Sequence, residues 1–198
     1  MHILYLHGFR SGTQSIKAQQ LKAYCAKHRQ FTFHCPDLNA PPRQVIAKLA
    51  DILMTLQAQQ QPVALIGSSL GGFYATYFVA KFHLPVVLIN PVVRPWQVFA
   101  QRYNLADLPL YISPQWQLDA TQLQDLKLLA INRLATDAKV LLLIQRGDEV
   151  LDYREAERYY SQVPHNSLII SELGGDHSMS NFSDKIPMLL EFLSYSVQ

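Results

Sequence analysis

Ile66-Gly67-Ser68-Ser69-Leu70-Gly71-Gly72-Phe73 joins an apolar run, Val63 to Ile66, to a helical pattern that continues from Phe73 to Phe82. The run reads as a buried strand. Gly67 to Gly71 fit G-x-S-x-G, which sets Ser69 on a sharp strand-to-helix turn. Such a turn holds its central residue in strained backbone geometry, and side chains two residues to either side would collide with it. The turn lifts the Ser69 hydroxyl clear of the sheet. It also aims the following N–H groups, at a helix N-terminus, toward an incoming anion. A tight turn with no chemistry would use the same glycines, so the partners of Ser69 decide its meaning.

On either side, the chain repeats strand and helix. Ile3 to Leu6 is a continuous apolar run that ends at His7-Gly8-Phe9-Arg10-Ser11-Gly12, and Ser15 is placed to cap a helix running to about Lys27. Phe31 to Cys35 forms a second strand, and Pro36-Asp37-Leu38-Asn39 is turn chemistry. Pro41-Pro42 opens a helix with apolar residues at Val45, Ile46, Leu49, Ile52, Leu53 and Leu56, a period near ~3.6. The Gln-rich stretch 57–61 reads as its solvated end. Pro85 to Asn90 is a fourth strand.

Between Pro91 and Asp137 no strand pattern is evident. Four prolines punctuate this segment, and it holds both tryptophans, Trp96 and Trp116, with Phe99, Tyr103 and Tyr111. A helical pattern, Leu123 to Leu134, closes it. We read an insertion lying over the C-terminal strand ends as a cap, within a single domain spanning 1–198. Its aromatics are expected to shape an acyl pocket or to pack as the cap's own core. Arg94 and Arg102 are candidates to meet an acidic substrate group, with surface solvation as the plainer reading. Alternation resumes with Val140 to Ile144, a helix around Arg154 to Ser161, a strand Leu168 to Ser171 and a final helix from about Asp184 to Tyr195. Strands apolar on both faces, alternating with helices, imply a parallel sheet covered on both sides. The expected fold class is α/β, a three-layer sandwich around a mostly parallel six-stranded sheet.

The 198 residues suit one domain with a sizeable core. With 17 Lys+Arg against 15 Asp+Glu and no basic run, charge makes no case for nucleic acid. No apolar run reaches membrane-spanning length. Met1 to Leu6 starts on a strand pattern without a basic leader region. Cys25 and Cys35 have no metal or redox spacing, so the expectation is a reduced, cytoplasmic protein without a disulfide. Oligomeric state is not legible.

A serine hydroxyl needs a base within hydrogen-bond reach, and the base needs an orienting acid. Ser69, Asp148 and His177 follow one another in the order Ser, acid, His, each just past a strand end. His177, after Gly174-Gly175, is the candidate base. His28, His83 and His165 sit away from the strand edge, and His34 lies inside a strand. Asp148 is the candidate acid, with Glu149 and Asp152 as rivals; Asp176 adjoins His177 too closely to meet its ring. The N–H groups of Leu70 and Phe9 are candidate oxyanion donors, and His7 is read as ordering its loop.

These residues resemble the α/β-hydrolase superfamily, and more narrowly its YqiA-like small bacterial esterases. The resemblance rests on Tyr5-Leu6-His7-Gly8-Phe9, the stretch Gly67 to Gly72, Asn90-Pro91, the stretch Gly147 to Tyr153, and Gly175-Asp176-His177. It implies a minimal α/β-hydrolase fold with a helical cap insertion, lacking the first antiparallel strands of larger members. It implies a cofactor-free serine hydrolase of small carboxylic esters, acting through an acyl-enzyme with Ser69, Asp148 and His177 as triad. Arg10 and Gly12 vary the usual polar run of the oxyanion loop, which leaves substrate preference open. An acyl thioesterase would use the same triad. A hydrolase-like interaction protein with vestigial activity would not need all three positions filled.

Overall fold

The computed structural model describes residues 1–103, 105–162 and 167–197. Strands β1 (His2–Leu6), β2 (Thr32–His34), β3 (Val63–Ser68) and β4 (Val86–Ile89) alternate with helices α1 (Ile16–Ala26), α2 (Pro42–Gln57) and α3 (Leu70–Phe82). The segment after β4 contains α4 (Pro95–Arg102), a short 3₁₀ turn (Leu105–Asp107), β5 (Leu110–Ser113), β6 (Trp116–Leu118) and α5 (Ala120–Leu128). The chain closes with β7 (Val140–Gln145), α6 (Tyr153–Tyr160), β8 (Ser167–Glu172) and α7 (Phe182–Ser196). Among the described residues no helix is long and apolar enough to cross a membrane.

Six strands form one parallel sheet in the order β2-β1-β3-β4-β7-β8. The unbroken apolar character of its central strands has a direct physical cause. Successive side chains point to opposite faces, and both faces are covered. Leu4, Leu6, Leu65, Leu88 and Leu142 pack against α2, α3 and α6. Their neighbours Ile3, Tyr5, Ile66, Val87 and Leu143 pack against α1 and α7 through Leu21, Phe182, Ile186 and Leu190. Two cores on one sheet make the three-layer sandwich expected from the sequence. Strand order reverses at β1, whose neighbours are β2 and β3. The crevice past the carboxyl ends of such strands is where open α/β sheets bind ligands.

Several boundaries shift by a residue or two. Ser15 caps α1 by accepting from Ala18 N at 3.4 Å. The larger correction concerns 91–137, which is not purely helical: β5 and β6 form an antiparallel hairpin. Strands of four and three residues, flanked by Pro109 and Pro114, are too short to display alternation. The last helix of the segment also ends at Leu128 rather than Leu134. It starts early because the Asp119 side chain accepts from Gln122 N at 2.8 Å. Both cysteines are free, and burial pushes each thiol up to about 11.

Candidate active site

The glycines of the elbow are dictated by close approach. A Cβ on Gly71 would lie 2.0 Å from the Leu6 carbonyl oxygen, and one on Gly67 would lie 2.6 Å from the Gly71 oxygen. Neither contact can be relieved by turning a side chain, because backbone stands in the way. Ser69 itself has φ 53 and ψ −120, a left-handed value that ordinary residues avoid. Its backbone is tied down on both sides: Ser69 N donates to Ile89 O at 3.0 Å, and Ser69 O accepts from Val92 N at 3.2 Å and Gly72 N at 2.9 Å.

The three candidate side chains meet. Ser69 Oγ lies 3.0 Å from His177 Nε2, and His177 Nδ1 lies 2.7 Å from Asp148 Oδ2. A carboxylate can only accept, so the proton on the ring belongs at Nδ1, which leaves Nε2 to accept from the serine hydroxyl. The Asp148 side chain is 2% exposed and that of His177 19%. The second oxygen of Asp148 accepts from Val150 N and Leu151 N, both at 2.8 Å. The acid is therefore held from two directions, with one oxygen reserved for the ring.

The rivals have other occupations. Glu149 accepts from the backbone N of His177 at 3.0 Å, holding the loop rather than the ring. Asp152 caps α6 through Arg154 N. Asp176 accepts from Ser180 Oγ at 2.5 Å. Of the other histidines, His28 stacks on Tyr24 and His83 closes α3 in a left-handed conformation. His34 meets His2 ring to ring at 3.0 Å, and His165 lies outside the described residues.

The loop after β1 packs against the elbow, since a Cβ on Gly8 would lie 3.1 Å from Ser69 Cβ. Among the described residues, neither Phe9 N nor Leu70 N donates to an acceptor within the chain. His7, 1% exposed, fixes that loop. Its Nε2 accepts from Leu38 N at 2.9 Å and its Nδ1 donates to Gly8 O at 2.9 Å. Burial holds its pKa below the ordinary histidine value, which keeps the neutral form that both bonds need.

Two residues that the sequence reading did not assign set the position of the His177 loop. The buried Asn90 donates through Nδ2 to the carbonyls of Asp176 and His177, both at 3.1 Å, and accepts from Gln145 N at 2.9 Å. Gln145 in turn accepts from Asp176 N at 2.9 Å and donates to Glu172 and Asn181. The available signal was a polar residue closing an apolar strand, which reads equally well as a turn.

The cap does not line the cavity found beside Ser69. A cavity of about 460 Å³ opens beside Ser69, and its walls come from β1, the loop after it, α1, β3 and the 177–180 loop. None of its lining residues belongs to 91–137. Trp116 and Phe99 are buried, packed edge-on to Phe9 at 5.8 and 4.7 Å between ring centroids. Phe99, Tyr103 and Trp116 pack around the Phe9 ring, Trp96 packs on Phe73, and Tyr111 is exposed. Arg94 faces Glu155 at 3.5 Å and Arg102 reaches Val150 O; neither lines that cavity.

A family model described as "Uncharacterised protein family (UPF0227)" matches residues 2–194. Among solved structures, Est1E from Butyrivibrio proteoclasticus with ferulic acid bound is similar at 14% identity, with 98% of this chain and 89% of that one covered and a TM-score of 0.73. Alpha/beta hydrolase domain-containing protein 10 from mouse aligns at 16% identity over 97% and 90% of the two chains, TM-score 0.71. The esterase domain of a Rhodothermus marinus protein aligns at 18% identity over 98% and 84%, TM-score 0.69. At these identities the likeness establishes the fold.

Proposed function

The chain belongs to the UPF0227 family, the YqiA-like group of the α/β-hydrolase superfamily, and on that premise we propose that it is a serine hydrolase of small carboxylic esters. The single observation that carries this reading is the continuous contact from Ser69 through His177 to Asp148, at 3.0 and 2.7 Å.

In the proposed cycle, Ser69 Oγ attacks the ester carbonyl carbon while His177 Nε2 takes its proton. Asp148 stabilises the imidazolium and keeps the ring's other proton at Nδ1. The carbonyl oxygen becomes an oxyanion facing the N–H groups of Leu70 and Phe9. As the tetrahedral centre collapses, His177 returns the proton to the leaving alcohol oxygen, leaving an acyl-enzyme on Ser69. Water, deprotonated by the same ring, repeats the sequence and frees the acid. No cofactor enters these steps. The 91–137 segment acts as a cap that stiffens the oxyanion loop through Phe9.

The test is Ser69→Ala on p-nitrophenyl acetate, together with labelling by a fluorophosphonate probe. Loss of a triad nucleophile typically costs about a million-fold in turnover, and the probe should modify the native chain at Ser69 alone. A Ser69→Ala variant that hydrolyses the ester like the native protein refutes the reading, and a native chain that takes up no probe favours a binding protein.

A further inference from the structure

We propose that the substrate of this site is an ester whose alcohol portion carries an anionic group, recognised by Lys17. The inference rests on the esterase reading above and assigns it a substrate class.

The cavity beside Ser69 has one wall made by His177 and the residues that follow it, Ser178 to Ser180. In ester cleavage the leaving oxygen takes its proton from His177 Nε2, so the alcohol portion must lie on the imidazole's side. That wall therefore belongs to the alcohol. The start of α1 adjoins it, with Ser15, Lys17 and Gln20 lining the same space.

The chemistry of this space is one-sided. Among the described residues, Lys17 is the one lysine or arginine that lines the cavity, and no carboxylate lines it. Its ammonium donates to the Ser178 carbonyl at 2.6 Å, which pins the head against the His177 wall and leaves two further donors. Burial pulls the Lys17 pKa below the ordinary lysine value, and the Asp176 charge opposes that; the Asp176 carboxylate receives Ser180 Oγ and does not line the cavity. The first turn of α1 adds a positive helix end to the same wall. Gln20 Oε1 is out of contact with solvent and has no hydrogen-bond partner; as an acceptor it calls for a donor, such as a free hydroxyl on the alcohol portion, beside the anion held by Lys17. Tyr5, Ser15 and Ser68 add hydroxyls to the lining of the cavity. A cation, hydroxyls and an unpartnered amide around a leaving-group pocket select a charged, hydrogen-bonding alcohol over an alkyl chain.

A carboxylate and a phosphate would satisfy the Lys17 ammonium and the serine hydroxyls alike, so the experiment includes both. The native protein is given 4-acetoxybenzoate, 4-acetoxyphenyl phosphate and the neutral 4-acetoxybenzamide. The acyl side is probed by 4-nitrophenyl hemisuccinate against 4-nitrophenyl butyrate. At least one anionic acetate should exceed the neutral one in kcat/KM by roughly tenfold or more, the size of one charge-assisted hydrogen bond. The larger of the two ratios identifies the anion. Lys17→Met should bring the ratio close to one, Lys17→Arg should largely retain it, and Lys22→Met, an exposed charge further along α1, should leave it as in the native protein. The proposal is overturned if the native ratio is near or below one, or if Lys17→Met leaves it unchanged. A Lys17-dependent preference in the acyl pair alone overturns the assignment to the alcohol. If the neutral esters are cleaved without charge preference, this inference fails and the esterase reading stands; if no ester is cleaved, both fall.

Discussion

Replacing Asn90 by Ala should separate the positioning of His177 from the stability of the sheet. The amide makes three hydrogen bonds, to Asp176 O, His177 O and Gln145 N, at 3.1, 3.1 and 2.9 Å. Each is worth about 1 kcal/mol net, and the Gln145 N–H is left buried without an acceptor, so the loss should be about 3 kcal/mol. For a chain of this size that lowers Tm by about 10 °C. The activity should fall further than the stability implies. The backbone of residue 177 loses a direct anchor, and a displacement of about 1 Å at a reacting group costs about a hundredfold in rate. We expect kcat for p-nitrophenyl acetate to drop by about that factor with little change in KM, and the downfield proton resonance of His177 Nδ1–H to weaken. Asn90→Asp sharpens the test. One carboxylate oxygen can still accept from Gln145 N, but the other faces two carbonyl oxygens, so kcat should fall at least as far as in the alanine variant. A variant that loses the expected stability yet keeps kcat within threefold, with the resonance intact, would refute the positioning role.

Asp148→Asn should leave the fold in place, because the amide oxygen can take the two backbone donors of Val150 and Leu151. The amide NH₂ then faces His177 Nδ1, forcing that nitrogen to accept and turning an N–H toward Ser69. Turnover should fall by about ten-thousandfold, and activity within tenfold of native at unchanged Tm would contradict the assigned ring orientation. Stability should also decline as pH drops below the unfolded histidine value of 6.5, because burial lowers the folded pKa of His2, His7 and His34. The unfolded chain takes up protons there that the folded chain refuses, so folding is favoured above that pH and loses ground below it. Urea midpoints at pH 7.5 and 5.5 check the sign, and a flat profile overturns it.

The sheet was legible because its strands are apolar on both faces, a pattern that few arrangements other than a helix-covered parallel sheet allow. Val63 to Ile66 feeds alternate side chains to two different cores, which is why no polar residue interrupts it. The elbow was legible because the missing Cβ atoms at Gly67 and Gly71 answer a backbone collision that only glycine avoids. The short hairpin in 91–137 was not legible, since four and three residues carry too little period to separate from a loop. The cavity's location misled for a related reason. Tryptophans in an insertion suggest a pocket, but Trp116 meets the Phe9 ring and Trp96 meets Phe73, which leaves the polar face of α1 beside Ser69. Burial partners, unlike composition, cannot be read without the fold.

Asn90 shows what kind of information was lost. A single Asn-Pro pair at a strand end looks like punctuation, yet the exit of β4 supports both halves of the candidate site. Ile89 O receives Ser69 N and Val92 N donates to Ser69 O, so the strained serine backbone is held by the two residues that flank Asn90-Pro91. A conformation of that kind costs about 1–3 kcal/mol and persists only where surrounding bonds over-determine it. Pro91 adds contact: a Cβ on Gly72 would lie 2.6 Å from Pro91 Cβ, so the glycine that follows the G-x-S-x-G stretch makes room for the proline. Asn90, with φ 39, turns its amide away from the elbow to grasp the two carbonyls of the His177 loop. The hydroxyl and the imidazole are therefore referenced to the same four residues. Their separation is fixed locally at the end of one central strand, although the residues that supply them stand more than a hundred positions apart.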